Sequence, residues 1–176
     1  METVILALLV IGAFAVLVIM FTELLNFVQT HVPFVPTAKI DLIDMIARAG
    51  ITREDLVYDL GSGNGKVVFT VEQLTGARAK GFQRGGWTQW YAKLRKLLTR
   101  SKTDFVTGNF FDHSWSEATV IYAYLYPFLM RSVEEKALED CRPGTKLVVR
   151  DFYLPTLKHT SSWETPTGHT MYLYIV

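Results

Sequence analysis

Val57-Tyr-Asp-Leu-Gly-Ser-Gly-Asn-Gly65 is the stretch of this chain whose residue types and spacing can do chemistry. Gly61 and Gly63 permit a sharp turn after a strand and let backbone amides come close to a ligand. Gly65 permits tight packing where a helix begins, and a helix N-terminus favours an anionic group. Asp59, two residues before the first glycine, adds a carboxylate to that turn. Two phosphate-binding patterns fail here. A dinucleotide fingerprint needs its third glycine at position 66, which is Lys66, and a P-loop needs Gly-Lys-Ser/Thr where this chain has Gly65-Lys-Val.

Such a turn works only if a strand feeds it and a helix leaves it. Leu56–Leu60 reads as a short apolar strand, and Val67, Val68, Val71 and Leu74 form a helical stripe ending at Gly76. Upstream, Pro33 and Pro36 make residues 31–37 an extended linker. Thr37 is the expected N-cap of a helix whose apolar face is Ile40, Ile43 and Ala47, set against Asp41, Asp44 and Arg48, with Gly50 closing it. Downstream, strands are expected at 79–83, 104–109, 118–125 and 145–152, with helices at 88–99 and from about 128 to 140. A weak strand near 159–163 pairs with an alternating one at 170–176. Strands alternating with helices, then a terminal β-pair, imply an α/β fold: a mostly parallel sheet with an antiparallel edge. Ligands of such sheets sit at the carboxyl ends of the strands where the strand order reverses. That rule gathers Asp59–Gly65, Gln83, Asn109 and Tyr124–Pro127 around one crevice.

The glycine turn resembles motif I of the class I S-adenosylmethionine-dependent methyltransferases. Further stretches match in order: Val32-Pro33 and Val35-Pro-Thr37 before it, then Gly108-Asn-Phe-Phe111, Tyr124-Leu-Tyr-Pro127, Leu138 through Pro143-Gly-Thr-Lys-Leu-Val-Val149, and Asp151-Phe152. Together, over residues 31–155, they resemble a small membrane-anchored family related to the mitochondrial lysine methyltransferases of the ATP synthase c-subunit and the adenine nucleotide translocase. The resemblance implies a Rossmann-like methyltransferase sheet and S-adenosyl-L-methionine as cofactor. It implies that Asp59 and the backbone of Gly61, Ser62, Gly63 and Gly65 hold the methionine moiety. Gln83 would meet the ribose hydroxyls, Asn109 and Phe110 would border the adenine, and Pro36 and Thr37 would cover the cofactor. Tyr124 and Tyr126, with Leu125, would face the transferring methyl group as the catalytic surface; ordinary packing at a strand end is the other reading of the tyrosines.

Two positions depart from the family pattern. Gln83 stands where a carboxylate is usual, and the lost charge-assisted contact is worth about 1–2 kcal/mol, or roughly tenfold in affinity. Asn109 keeps an acceptor where Asp is usual. Methyl transfer from a sulfonium needs alignment and exclusion of water more than a base, and no dedicated base stands out. Asp112 and His113 read as a solvated loop, and Asp151 as a supporting partner at the end of its strand.

The apolar excess of the chain sits at its start. Val4–Phe21 is uninterrupted apolar residues and Gly12, long enough for a bilayer core of about 30 Å. A cleaved signal peptide would want a basic start and a small-residue cleavage site; the chain begins Met-Glu-Thr and Leu24–Val28 offers none. A buried core helix is the other alternative. The reading adopted is an uncleaved transmembrane anchor over residues 1–30, with a methyltransferase-like domain over 31–176. No Lys or Arg precedes the run, whereas Lys39, Arg48 and Arg53 follow it, so a single-pass membrane protein with its catalytic domain on the cytoplasmic side is expected. Without Glu2 and Glu23 the body carries net +3, suited to an anionic leaflet.

Composition narrows the rest. Hydrophobic residues at 49% against 20% charged exclude a disordered chain. Cys141 alone excludes an internal disulfide or a cysteine zinc cage, and His31, His159 and His169 are scattered, so no metal is expected. Net charge +1 gives no sign of nucleic acid as a partner. Lys93, Arg95, Lys96, Arg100 and Lys102 form an acid-free run beside Trp87, Trp90 and Tyr91. It reads either as contact with anionic headgroups or an acidic partner, or, more simply, as a solvated helix face whose aromatics pack on the sheet. The functional expectation is methyl transfer to a lysine of a membrane or membrane-associated protein. A small-molecule or lipid methyltransferase, or a catalytically silent anchored module, are the alternatives.

Overall fold

The computed structural model describes residues 1–30 and 35–176; the Val32-Pro33 part of the expected linker lies outside them. A single helix, α1 (Glu2–Thr30), carries the apolar N-terminal run, and none of Glu2–Phe21 is buried against the body. After it come α2 (Lys39–Arg48), β1 (Leu56–Leu60), α3 (Lys66–Thr75), β2 (Arg78–Gln83), α4 (Trp87–Thr99), β3 (Asp104–Thr107), β4 (Val120–Ala123), α5 (Met130–Asp140), β5 (Lys146–Arg150), β6 (Ser161–Glu164) and β7 (Thr170–Ile175). Short 3-10 turns at Phe110–Asp112 and Pro127–Leu129 link β3 to β4 and β4 to α5.

The strands form one seven-stranded sheet in the order β3-β2-β1-β4-β5-β7-β6. β1 to β5 run parallel, while β7 is antiparallel to both β5 and β6. This is the mixed α/β architecture expected from the alternation of elements. The β1-α3-β2-α4-β3 crossovers step one way and β4-α5-β5 steps the other, so the order reverses between β1 and β4. Central strands buried on both faces read as continuous apolar runs, and β4 is buried throughout. One core layer joins Val57, Tyr122 and Val148 to Leu42, Met45 and Ile46 of α2 and Val68 and Val71 of α3. The other joins Tyr58, Ile121 and Leu147 to Val133 and Ala137 of α5 and to Trp115.

Two helices turn the other way from the expectation. On α2 the buried residues are Asp41, Leu42, Met45 and Ile46, whereas Ile40 and Ile43 are exposed. Apolar periodicity failed here because Asp41 is held inside by polar partners. Its carboxylate accepts from the Thr167 backbone N–H and hydroxyl and lies 3.4 Å from Arg150 Nη2. Thr37 is not the N-cap: that position is Ala38, and the Thr37 hydroxyl instead shares a 3.0 Å hydrogen bond with the Tyr122 phenol. On α4, Thr88, Gln89 and Ala92 face the sheet, with Gln89 Nε2 donating to the Val106 carbonyl, and Trp90 and Tyr91 are exposed. The aromatics therefore do not pack on the sheet as the simpler reading had it.

Arg150 and Asp41 are both essentially inaccessible to solvent. Removing one partner of a buried pair strands the other charge. Asp41→Ala is therefore expected to destabilise the fold by about 3–5 kcal/mol, read as a lower urea midpoint at unchanged slope. Asp104→Ala, at the surface pair with Lys96, should cost no more than about 1 kcal/mol.

Candidate active site

β1 delivers its last residues to the reversal point with Asp59 opposite Gly81 of β2 and Tyr122 of β4. The chain then turns sharply. The N–H groups of Gly61 and Ser62 both donate to the Phe82 carbonyl, at 2.9 and 2.8 Å, and Gly65 N–H donates to the Ser62 carbonyl at 2.8 Å. Gly61, Gly63 and Gly65 all have positive φ. Gly65 is fixed twice over: besides its φ of 76°, a Cβ there would stand 2.6 Å from the Phe105 ring. The turn is thus stapled to the end of β2 and feeds directly into α3, whose first N–H groups lack intrahelical partners.

Two polar groups at this turn are buried without partners, Asp59 Oδ2 and Ser62 Oγ. Desolvation pushes the Asp59 carboxyl up to about 8. A buried carboxyl with no cation of the chain beside it is a costly feature for a fold to keep. It fits a ligand that brings its own positive charge together with hydroxyl groups, and S-adenosyl-L-methionine has an ammonium, a sulfonium and ribose hydroxyls.

Around this turn the other sequence-derived candidates divide. Gln83 ends β2, and its Oε1 accepts from the Gly63 N–H at 3.3 Å. Gly108 N–H donates to the Gln83 carbonyl, which carries the end of β3, and with it Asn109, to the same rim. The Asn109 amide is engaged locally: it accepts from the Phe111 N–H and donates to Asp112, capping the 3-10 turn. Phe110 is half-buried with its ring 4.4 Å from Phe111, packed toward the α5-side core. Thr37 is buried at the rim through Tyr122, and Pro36 beside it is exposed. Tyr124, one residue past β4, is half-buried with the Arg150 guanidinium 4.6 Å from its ring centre. Burial, then the nearby Asp151 charge, pushes its phenol up, so it stays neutral at ordinary pH. Tyr126 stands apart from that cluster: it is exposed and stacks on Phe128 at 6.0 Å. Asp112 is exposed and His113 packs toward Phe82, as expected of a surface loop. Among the described residues no group of His, Cys, Asp and Glu is arranged to hold a metal.

The structure adds Tyr122 and Arg150, which the sequence reading passed over, and places Asp151, read there as a supporting partner. Tyr122, on the same sheet face as Asp59, feels both the Asp59 and Arg150 charges. Arg150 is buried and its Nε and Nη1 have no hydrogen-bond partner. Asp151, with φ of 63°, faces His169 Nδ1 at 3.0 Å. A signal existed for one of them: Arg150 is a charge at the end of the apolar run Leu147-Val-Val, where a solvated residue would not be placed.

Known proteins resemble this arrangement. The chain is 29% identical over 152 residues to a protein-lysine N-methyltransferase of Saccharolobus islandicus, covering 83% of this chain and 94% of that one. It is 22% identical to the Xenopus laevis lysine N-methyltransferase of the ATP synthase c-subunit, covering 70% of this chain and 54% of that protein's length. The crystal structure of an RNA methyltransferase from Salinibacter ruber in complex with S-adenosyl-L-homocysteine superposes with a TM-score of 0.76 at 28% identity, covering 81% of this chain and 94% of that one. Residues 59–161 match the ANTKMT methyltransferase domain, and the chain belongs to that family: it is a methyltransferase whose methyl donor is S-adenosyl-L-methionine.

Proposed function

We propose that this enzyme methylates a lysine side chain of a membrane or membrane-associated protein, with residues 1–30 as a single-pass anchor and residues 31–176 as the catalytic domain on the cytoplasmic side. The observation that carries the site assignment is the buried, unpartnered Asp59 Oδ2 beside the Gly61–Gly65 turn. The names of the two curated relatives support lysine as acceptor. The exposed apolar helix α1 supports a membrane setting, because tethering raises the local concentration of membrane targets.

In this reading Asp59 receives the cofactor's ammonium, and Arg150, with two unpartnered donors, receives its carboxylate from the same sheet face. Gln83 and Ser62 accept from or donate to the ribose hydroxyls, Asn109 and Phe110 border the adenine, and Pro36 and Thr37 close over the top. When bound, the cofactor supplies an electrophilic methyl group on a sulfonium. The chain's task is to present the acceptor nitrogen in line with that methyl group and keep water out. An amine must be neutral to attack, and the half-buried aromatic surface of Tyr124 disfavours its charged form by desolvation. Tyr124, a neutral phenol under the Arg150 guanidinium, can accept a hydrogen bond from the amine and fix its direction.

The Asp59 shift gives a pH dependence with a defined sign. Its carboxyl is raised from 3.8 to about 8, so below pH 8 the empty site holds a proton that binding a cation must expel. Cofactor affinity is expected to rise with pH toward about 8 as Asp59 ionises and to fall again once the cofactor's own α-ammonium, ordinarily at about 8, loses its proton, with a proton released on binding at pH 7. Calorimetry in two buffers of different ionisation enthalpy reads that proton. Asp59→Asn should abolish the release and weaken binding by roughly ten- to a hundredfold.

The acceptor is tested separately. Membranes incubated with the enzyme and methyl-labelled S-adenosyl-L-methionine, then acid-hydrolysed, should yield labelled methyl-lysine. Label recovered in lipid extracts, or in nucleosides from added RNA, would replace the lysine assignment.

A further inference from the structure

Helix α4 carries its apolar stripe on the wrong side for a helix of a soluble domain. Trp87, Trp90, Tyr91, Leu94, Leu97 and Leu98 recur at the three- and four-residue spacing of one helix face. That face points away from the sheet: Leu97 and Leu98 are each 74% exposed, Trp90 66% and Tyr91 44%. The inward face is Thr88, Gln89 and Ala92. A helix normally turns such a stripe to the core, and an exposed apolar patch of this kind marks a contact surface.

The chemistry of the flanks says which kind. From Arg84 to Lys102 there are six bases and no acid. Lys93 and Arg95 lie on either side of the stripe; Lys93 also reaches the Thr107 hydroxyl and Arg95 the Phe69 ring, while Lys96 is paired with Asp104. Aromatics at one end, leucines along the stripe and lysine and arginine at its borders are the composition of a helix that lies in a membrane interface. Position agrees. α4 begins four residues after Gln83, at the carboxyl end of β2, so its aromatic end adjoins the rim of the crevice. It is also in contact with α1, and the stripe is exposed with α1 in place.

We propose that α4 seats its Trp90–Leu98 face in the headgroup and upper acyl region of an anionic bilayer, as a second attachment beside α1. It would hold the mouth of the crevice at the membrane surface, where an acceptor lysine emerging from a membrane protein lies. This inference rests on the anchor reading above.

The full-length chain is added to phosphatidylcholine–phosphatidylglycerol vesicles containing brominated phosphatidylcholine. Two readouts are taken: flotation with the vesicles, and quenching of tryptophan fluorescence by the bromolipid. Helix α1 contains no tryptophan, Trp115 is fully buried and Trp163 on β6 is half-buried, so the quenching lost in Trp90→Phe reports α4. Expected are flotation, strong quenching, loss of roughly half of it in Trp90→Phe, and a several-fold fall in the Leu97→Ser, Leu98→Ser double variant with flotation unchanged. Replacing phosphatidylglycerol with neutral lipid should also reduce quenching. Both leucines are exposed, so the double variant is expected to fold, checked by circular dichroism. Flotation without quenching would overturn the seating of α4 and leave the anchor standing. Failure to float would overturn the anchor and with it this inference. A self-association in detergent that the double variant abolishes, or quenching indifferent to it, would assign the stripe to a second copy or a protein partner instead.

Discussion

A carboxyl group without a partner, sealed at the end of the central strand, is the constraint around which this structure is arranged. Asp59 cannot be ionised cheaply where it stands, and desolvation holds its proton to about pH 8. The residues beside it do nothing to relieve that cost: Ser62 Oγ is also unpartnered, the Gly61, Ser62 and Gly63 amides are turned to β2, and the Gly65 amide closes on Ser62. A cation arriving from outside would offset the burial. A site of this kind stores its binding energy in unmet polar groups, which are worth more in a low-dielectric interior than in water.

The same economy appears one and two strands away. Arg150 is buried with two unpartnered nitrogens, balanced by Asp41 from α2 and by Asp151 on its own strand's end. Tyr122 lies between the two halves, bonded to Thr37. The segment entering α2 is therefore tied to the sheet through polar contacts at the crevice rim, and the order of the elements puts α1 just upstream of it. α4 leaves the same rim on the other side. The segment entering α2 and the start of α4 thus both lie at the carboxyl edge of one sheet.

Much of this was legible in the amino-acid sequence because it depends on local pattern. The glycine turn after Leu56–Leu60, the alternation of strands and helices, and the terminal antiparallel pair each have short-range signatures, whereas the strand order rests on long-range pairing. The faces of α2 and α4 were not legible for the same reason. Apolar spacing on α2 pointed to Ile40 and Ile43, but a buried ion pair reaching across to β5 and to Thr167 turned Asp41 inward. On α4 the stripe was visible as a run of aromatics and bases, yet nothing in spacing alone says whether a stripe faces a sheet or a bilayer. Thr37 has the side chain of a cap, but Tyr122, distant in sequence, claimed its hydroxyl. Among the proposed site residues, those on the turn and at strand ends come together, whereas Tyr126 stays on the surface with Phe128 because the 3-10 turn after it carries both outward.

Whether the buried Asp59 site takes up S-adenosyl-L-methionine is read most directly by calorimetric titration of the cofactor into the detergent-solubilised full-length chain, with Gln83→Glu alongside. Gln83 occupies the rim beside Gly63, where a carboxylate would gain a charge-assisted contact to the ribose. One site of about micromolar affinity is expected in the wild-type chain, tightened roughly tenfold by the glutamate. A wild-type chain that takes up no cofactor, whether or not the glutamate restores binding, would contradict that expectation.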